Sequence, residues 1–472
     1  MTTQYTERAL PTNEQVRKAL RLWHKGAALG SPMAELLLVR QATAATGGNL
    51  RLATNQVLHQ ALAELDLHHS DEADLLRARY LDADTVQLLA IRRNVAEATI
   101  YLHQQRAVDL LAATVRSLEQ AAQVERQAAL EGRLPPPTYT ALIGVESQIE
   151  HLARLLTTPQ APGLVMLDGI GGIGKSSLAD ALLRALIVQD SFADIAWISA
   201  QRQLFHLDGK LRQIPRPALT IDGVLDELAA LWLADGVRAS SRTQKIAALQ
   251  SCLAQAPHLV VLDNLEVMAD AEPLLALLQR LAGQSRFLLL SRHSYYAEPG
   301  IYHLRLPELG EADALRLLRQ EARLRNLPAL AEATNAALLP VYATVGGNPL
   351  ALRLIAGMTH VHPLETILAD LAAARGENIE TLYTYVYWHA WGCLDEPCRQ
   401  ALLAMPLINE QGGDLDLIQQ ISQLHPTALR QALTTLVNLN LVDSRGDLLR
   451  RRYTIHNLTR SFLLEQVVRW QA

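Results

Sequence analysis

Between residues 12 and 131 apolar positions recur at helical spacing in stretches rich in Ala, Leu, Gln and Arg. They break at Gly26 to Pro32, at Gly47-Gly48 and across the polar run His68 to Asp71. This pattern predicts one helix after another. It stops at Leu134–Thr138, where three consecutive prolines cannot continue a helix and favour a stiff, extended connector. Beyond it the pattern changes to short apolar runs separated by helical stretches: LVML before Asp168, IAWIS at 195–199, LVVL at 259–262 and FLLLS at 287–291. Such runs between amphipathic helices predict buried parallel strands, hence an α/β sheet wrapped by helices. From about residue 307 the pattern is helical again, through EADALRLLRQEARL and the segment ending LPVYATVGGNPLALRLIAG. The last hundred or so residues predict short helices and then two strands, LVDS and RYTI, on either side of RGDLLR. Helices followed by a small hairpin suggest a winged-helix module.

Composition narrows the picture only modestly. A length of 472 residues corresponds to about three domains. With 49% hydrophobic and 19% charged residues the chain is an ordinary globular one, which excludes intrinsic disorder. A formal charge of -5 excludes a protein that coats nucleic acid through bulk positive charge. Residues 1–138 carry 15 basic and 15 acidic side chains and are neutral overall. Three cysteines, Cys252, Cys393 and Cys398, are too few for a disulfide framework or a four-ligand zinc site and fit a reducing cytoplasm. Cys393 and Cys398 read as small buried apolar residues, and the histidines of MTHVHP at 358–363 as a solvated loop. The first ten residues lack signal-peptide character, and no run of about 18 apolar residues occurs, so no membrane partner is expected.

The sharpest chemical signal is Gly169-Ile170-Gly171-Gly172-Ile173-Gly174-Lys175-Ser176, which fits G-x-x-x-x-G-K-[ST] without a mismatch between an apolar strand and a helical stretch. Glycines at 169, 171, 172 and 174 let the loop curl, so that backbone N–H groups, Ile173 among them, point at phosphate oxygens, while the following helix adds its positive end. Lys175 would reach the β- and γ-phosphates, Ser176 would place its hydroxyl on Mg²⁺, and Ser177 would bond a phosphate nearer the base. The strand HLVVLD ends in Asp263, 87 residues after Ser176, the candidate second Mg²⁺ ligand. Glu266 is the nearest following carboxylate and the candidate for orienting water, with a solvated acid at a helix start as the equal alternative. The strand RFLLLSR ends at Arg292, on the ligand side of such a sheet, where it could contact a terminal phosphate. ATP or ADP with Mg²⁺ is the implied ligand.

These blocks, in this order, resemble the signal-transduction ATPases with numerous domains (STAND), and within them the NB-ARC group of apoptotic and plant-resistance ATPases and their bacterial relatives. The resemblance covers residues 139 to 472. It rests on TALIGVESQIEHL at 140–152, GIGGIGKSSLA, LVVLDNLE, FLLLSR and GGNPLAL at 346–352, with YTIHNLTRSF similar to the histidine motif of the family's winged helix. It implies that Pro349 packs near the adenine, that His456 reaches the β-phosphate of ADP, and that Arg292 senses the γ-phosphate. The chain departs from the family at Val145 after Gly144, at Asn264 in place of a second acid, and at Asn457 beside the histidine, which implies slow hydrolysis. No repeat of the kind that forms the family's sensing end is found. The implied organisation is multidomain: an α-helical N-terminal region at 1–133 with a helix-turn-helix-like part at 75–112, a Pro-rich linker at 134–138, and an α/β P-loop nucleotide-binding domain with a parallel sheet at 139–306. A helical domain at 307–376 and a winged-helix domain at 377–472 complete it.

The implied function is an ATP/ADP switch, closed with ADP, self-associating or engaging its output with ATP, in regulation or defence, and acting as a slow ATPase. Moving such a switch from mostly closed to mostly open takes about 5.5 kcal/mol of differential binding. Saturating ADP supplies only about 2.7 kcal/mol at about 100 times its Kd. A trigger partner or self-association must add the rest. The alternative is a DNA-handling AAA-like ATPase or a nucleotide-responsive transcription regulator. In residues 75–112 a first helix around Thr85 to Ala90, a connection through Arg92-Arg93-Asn94 and a second helix from Glu97 would pack Val86, Leu89, Val95, Ile100 and Ala107 together. Residues 97–106 would then present Thr99, Tyr101, His103, Gln104 and Arg106 to duplex DNA, against which Glu97 and the neutral regional charge weigh. DNA contact and protein contact remain even alternatives.

Overall fold

The computed structural model describes residues 10–25, 30–200, 220–268, 270–292, 295, 298–360, 362–373, 391, 394–408, 412–438, 441–446, 450–455, 459, 460 and 463. The chain divides into two compact units, Met1–Gly132 and Arg133–Ala472.

The first unit is helical. Helix α1 (Asn13–Arg21) opens with a reciprocal cap between Thr12 and Gln15, and α3 (Leu50–Asp66) with the Asn49 side chain. Between them lies α2 (Leu37–Ala45), whose N-cap residue Leu36 offers no side-chain acceptor. Its free N–H groups are met from a distance: Glu119, 1% exposed, accepts from Leu37 N at 2.9 Å and Leu38 N at 3.1 Å. Helix α4 (Ser70–Leu76) runs into a π-helical turn, Arg77–Leu81. Helix α5 (Val86–Arg93) is capped by Thr85 and ended by Asn94 in the left-handed region, φ 52°, and α6 (Glu97–Glu131) extends for 35 residues. Leu75, Val86, Leu89, Ala90 and Ile100 form a small cluster with Val95 against it. Ala107, by contrast, belongs to the main core with Val108, Leu111, Val115, Leu20, Leu58 and Leu62. Arg92 and Arg93 are the last turn of α5 rather than the connection, because the left-handed Asn94 is what breaks the helix.

The second unit is built on a five-stranded parallel sheet of order β2-β3-β4-β1-β5. The strands are β1 (Leu164–Asp168), β2 (Asp194–Ser199), β3 (His258–Asp263), β4 (Arg286–Ser291) and β5 (Ile301–Arg305). Alternate residues of one sheet face, among them Met166, Ile198, Val260, Leu262, Phe287 and Leu289, pack on three helices, α9 (Ile221–Trp232), α11 (Arg242–Gln255) and α12 (Ala271–Leu281). Before β1 comes α7 (Glu146–Thr157), and between β1 and β2 comes α8 (Lys175–Gln189); α10 is the short turn Asp235–Arg238. β5 was not anticipated from the sequence. It is a half-buried edge strand in which His303 and Arg305 interrupt the apolar residues, so it lacks the continuous run that marks the others.

After the sheet come α13 (Glu311–Leu324), α14 (Pro328–Ala331), α15 (Asn335–Val345), α16 (Pro349–Met358) and α17 (Leu364–Ala373). Three further helices follow, α18 (Glu396–Ala404), α19 (Leu415–Ser422) and α20 (Pro426–Asn438), and then an antiparallel hairpin, β6 (Asp443–Gly446) and β7 (Arg451–Thr454). Leu315, Leu318, Leu354 and Ile355 share one contiguous core with Leu402, Met405, Leu433 and Leu436. The helices on either side of residue 376 are therefore packed as one body. Cys398 is buried, as expected, and Cys393 lies outside the described residues. Among the described residues no helix is long and apolar enough to cross a membrane.

Candidate nucleotide-binding site

Strand β1 ends at the buried Asp168, and seven residues later Lys175 opens α8. The intervening loop turns back through left-handed conformations at Gly172 (φ 72°) and Gly174 (φ 103°), where a side chain would be strained. Lys175 Nζ donates to the carbonyls of Gly169 at 2.6 Å and Ile170 at 3.0 Å. Burial pushes its amine down to about 8; Glu266, Asp263 and Asp168 oppose that push, and Arg292 adds to it.

Strand β4 lies between β1 and β3, so the carboxyl ends of three neighbouring strands open on one cleft. Ser176 Oγ donates to Asp263 Oδ1 at 3.1 Å, and the same oxygen accepts from Asn264 N at 2.9 Å. A hydroxyl and a carboxylate in contact at the foot of a phosphate loop are hard oxygen donors suited to Mg²⁺. Among the described residues no cluster of three or more His, Cys, Asp or Glu could hold a metal without help, so phosphate and water oxygens would have to complete the shell. Arg292 Nε lies 3.2 Å from Glu266 Oε1, and Arg292 N donates to Glu266 Oε2 at 3.1 Å. Both side chains line the cleft with Gly171, Gly172, Gly174, Lys175, Ser176, Ser177, Asp263 and Trp197.

The far wall comes from segments that sequence reasoning did not connect to the site. Pro135, Pro136 and Thr138 line this cleft, as do Asp443, Thr454 and Ile455. Thr138 Oγ1 lies 3.0 Å from Ser177 Oγ. The proline segment is strapped to α8: Arg184 donates to Pro135 O at 3.2 Å and to both oxygens of Asp180, which also accepts from Tyr139 Oη at 2.8 Å. Burial and the Asp180 carboxylate raise the Tyr139 phenol well above its usual range. Beside the phosphate-loop end lies a more apolar cleft, lined by Ile143, Val145, Ile173, Leu178, Leu317 and Pro349. His456 lies outside the described residues.

The structure brings Gly169, Gly171, Gly172, Ile173, Gly174, Lys175, Ser176, Ser177, Asp263, Glu266, Arg292 and Pro349 around these two adjoining clefts. The sequence reading missed Thr138, Trp197, Asn348 and the Arg353–Asp443 pair. Only Asn348 had a readable signal, an Asn before a Pro that opens a helix, which is a cap pattern.

In the first unit, the basic groups near residues 97–106 are engaged. Arg92 pairs with Asp84, Arg106 lies 3.6 Å from Glu72, and Arg93 donates to Asp71 O at 3.1 Å. Gln104 Nε2 donates to Tyr80 Oη at 2.6 Å. That surface also leaves Ile91 77%, Leu102 67% and Tyr101 59% exposed, beside the exposed polar residues His103 and Gln105.

A sheet of this order with this loop, this hydroxyl–carboxylate pair and a cleft holding Lys175 and Arg292 is that of a P-loop NTPase. Residues 141–290 match the AAA ATPase domain family. Two similar curated proteins are the probable disease resistance RPP8-like protein 4 of Arabidopsis thaliana, 26% identical over 252 residues, and the disease resistance protein RPP8 of the same plant, 25% identical over 254 residues. Each match covers 51% of this chain and 26% of the relative, so the chain spans about a quarter of the length of the curated relatives it matches. These matches support the resemblance to P-loop NTPases of the STAND class and the NB-ARC type. Solved structures overlap it loosely. A STAND protein with a tetratricopeptide repeat sensor from Pyrococcus horikoshii aligns with a TM-score of 0.44 at 16% identity, covering 70% of this chain and 43% of that one. The Aeropyrum pernix Orc1 protein in complex with DNA aligns with a TM-score of 0.33 at 15% identity, covering 71% and 96%.

Proposed function

We propose that this protein is an ATP/ADP-operated signal-transduction switch with slow ATPase activity. The observation that carries the reading is the convergence of Lys175, the Ser176–Asp263 pair and the Arg292–Glu266 pair on one cleft beside an apolar pocket at Pro349. The adenine enters the apolar pocket against Pro349. The phosphates take the loop N–H groups, and Lys175 exchanges its two carbonyl partners for phosphate oxygens. Ser176 and Asp263 would hold Mg²⁺, which when bound neutralises charge on the phosphates. Arg292 is engaged with Glu266, and a terminal phosphate competes for the guanidinium. Its capture by Arg292 leaves Glu266 free to orient water, so hydrolysis is restrained until a γ-phosphate is in place. His456 is proposed to reach the β-phosphate of ADP.

In this reading the hairpin and its preceding helices act as a winged-helix module that closes the cleft with ADP, and residues 1–133 act as the output. With ATP the chain self-associates, aided by a trigger partner in a cytoplasmic setting. A DNA-handling role through a helix-turn-helix at 75–112 is the less supported reading, since the arginines there are already paired within the unit. The test is to identify nucleotide extracted from the purified protein and to measure its mass before and after exchange of ADP for ATP. Copurified ADP and a larger species with ATP are expected. No extractable nucleotide and no heat on titration with either would overturn the reading.

A further inference from the structure

Asn348 is 1% exposed and divides its carboxamide between two elements. Its Oδ1 accepts from Leu350 N at 3.1 Å and Ala351 N at 3.3 Å, capping α16, and its Nδ2 donates to the phosphate-loop carbonyl of Gly171 at 3.0 Å. Leu350 N also reaches Gly172 O at 3.3 Å. A Cβ on Gly172 would lie 2.7 Å from Leu350 Cβ, so a glycine there is what admits the helix end this close. A trans peptide is planar, with its C=O and N–H pointing opposite ways. Holding the carbonyls of Gly171 and Gly172 toward α16 therefore turns the N–H groups of Gly172 and Ile173 the other way. Further along α16, Arg353 Nη2 donates to Asp443 Oδ1 at 3.0 Å and Arg353 Nε lies 3.3 Å from Glu321 Oε1. Asp443 is the first residue of the hairpin and lines the same cleft as Lys175 and Arg292.

We propose that Asn348 is a positioning residue of the nucleotide site. Its carboxamide fixes the direction of the Gly171–Gly172 peptide so that the loop presents its donors to phosphate, and α16, through Arg353, couples that arrangement to Asp443 and the C-terminal hairpin. The idea rests on the nucleotide reading above and adds a residue and a route to it. A serine at 348 keeps an oxygen to cap α16 but is too short to reach Gly171 O. An aspartate keeps the cap and sets a carboxylate oxygen against that carbonyl.

The experiment is a titration of the 472-residue chain with a fluorescent ADP analogue, with release followed by stopped flow. Lys175→Ala serves as the control for the nucleotide reading, and thermal melting as the control for folding. The unaltered chain should bind. Asn348→Ser should release the analogue roughly fivefold faster, as expected for one lost hydrogen bond. Asn348→Asp should release it faster still, with both variants melting within about 3 °C of the parent. Asp443→Asn should also speed release, and its effect should shrink in the Asn348→Ser background, since the route is already broken. Parent-like release by both Asn348 variants would overturn the positioning role. Effects of Asn348→Ser and Asp443→Asn that simply multiply would overturn the coupling through α16. Absence of binding by the unaltered chain would remove the nucleotide reading and this proposal with it.

Discussion

At the scale of single residues the cleft sets Lys175 and Arg292 among the carboxylates of Asp263, Glu266 and Asp443. Lys175 is buried far enough that its amine is pushed down to about 8, although Glu266, Asp263 and Asp168 pull it back. Phosphate contact favours the charged form and raises the pKa again. Below about pH 7 the amine is protonated with or without nucleotide, and this group adds no pH dependence. Between pH 8 and the raised value of the complex, binding must take up a proton, so affinity falls by up to about tenfold per pH unit. Calorimetry of ADP binding at pH 9 in buffers of different ionisation enthalpy should report close to one proton taken up, and near none at pH 6.5. Glu266 makes a separate prediction. Glu266→Gln should leave ATP affinity within about threefold while lowering single-turnover hydrolysis by about a hundredfold or more, the scale of general base assistance. An unchanged hydrolysis rate would leave Glu266 as an ion-pair partner of Arg292 alone. None of these partners is adjacent in sequence. Ser176 and Asp263 are 87 positions apart, and only the motif around each made the pair legible.

At the scale of elements, local pattern and tertiary demand agree for the central strands and disagree at the ends. The buried strands β1, β3 and β4 were legible because they are apolar on both faces. β5 was not, since an edge strand buries little and tolerates His303 and Arg305. The same holds for caps. α1 and α5 carry their own Thr caps, whereas α2 relies on Glu119 of α6, more than eighty positions away, a partner that no local pattern announces. Glu119→Ala leaves one buried and one part-buried N–H group unmet and should destabilise the chain by about 1–3 kcal/mol, read as a lowered midpoint in urea. Glu119→Gln, which keeps an acceptor, should recover part of the loss.

At the scale of the whole molecule, the two compact units carry different kinds of surface. The second closes a polar cleft. The first leaves Ile91, Tyr101 and Leu102 uncovered while its nearby arginines are paired. Specific DNA contact needs several free cations per site, so duplex DNA should bind no more tightly than the nonspecific range of about 1–100 μM at physiological salt, and should not speed ATP turnover. DNA-stimulated turnover would restore the DNA-handling alternative. The sequence by itself determined the alternation of helices and strands, the phosphate loop, the Asp263 and Arg292 strand ends, and the family they resemble, because burial period and motif spacing are local properties of the chain. Tertiary structure alone decided that the proline segment is strapped to α8, that Glu266 is held by Arg292, and that one short helix touches the phosphate loop through Asn348 and the hairpin through Arg353. These contacts join residues far apart in the chain, and their energies depend on distance and burial in the folded state, which no one-dimensional pattern encodes.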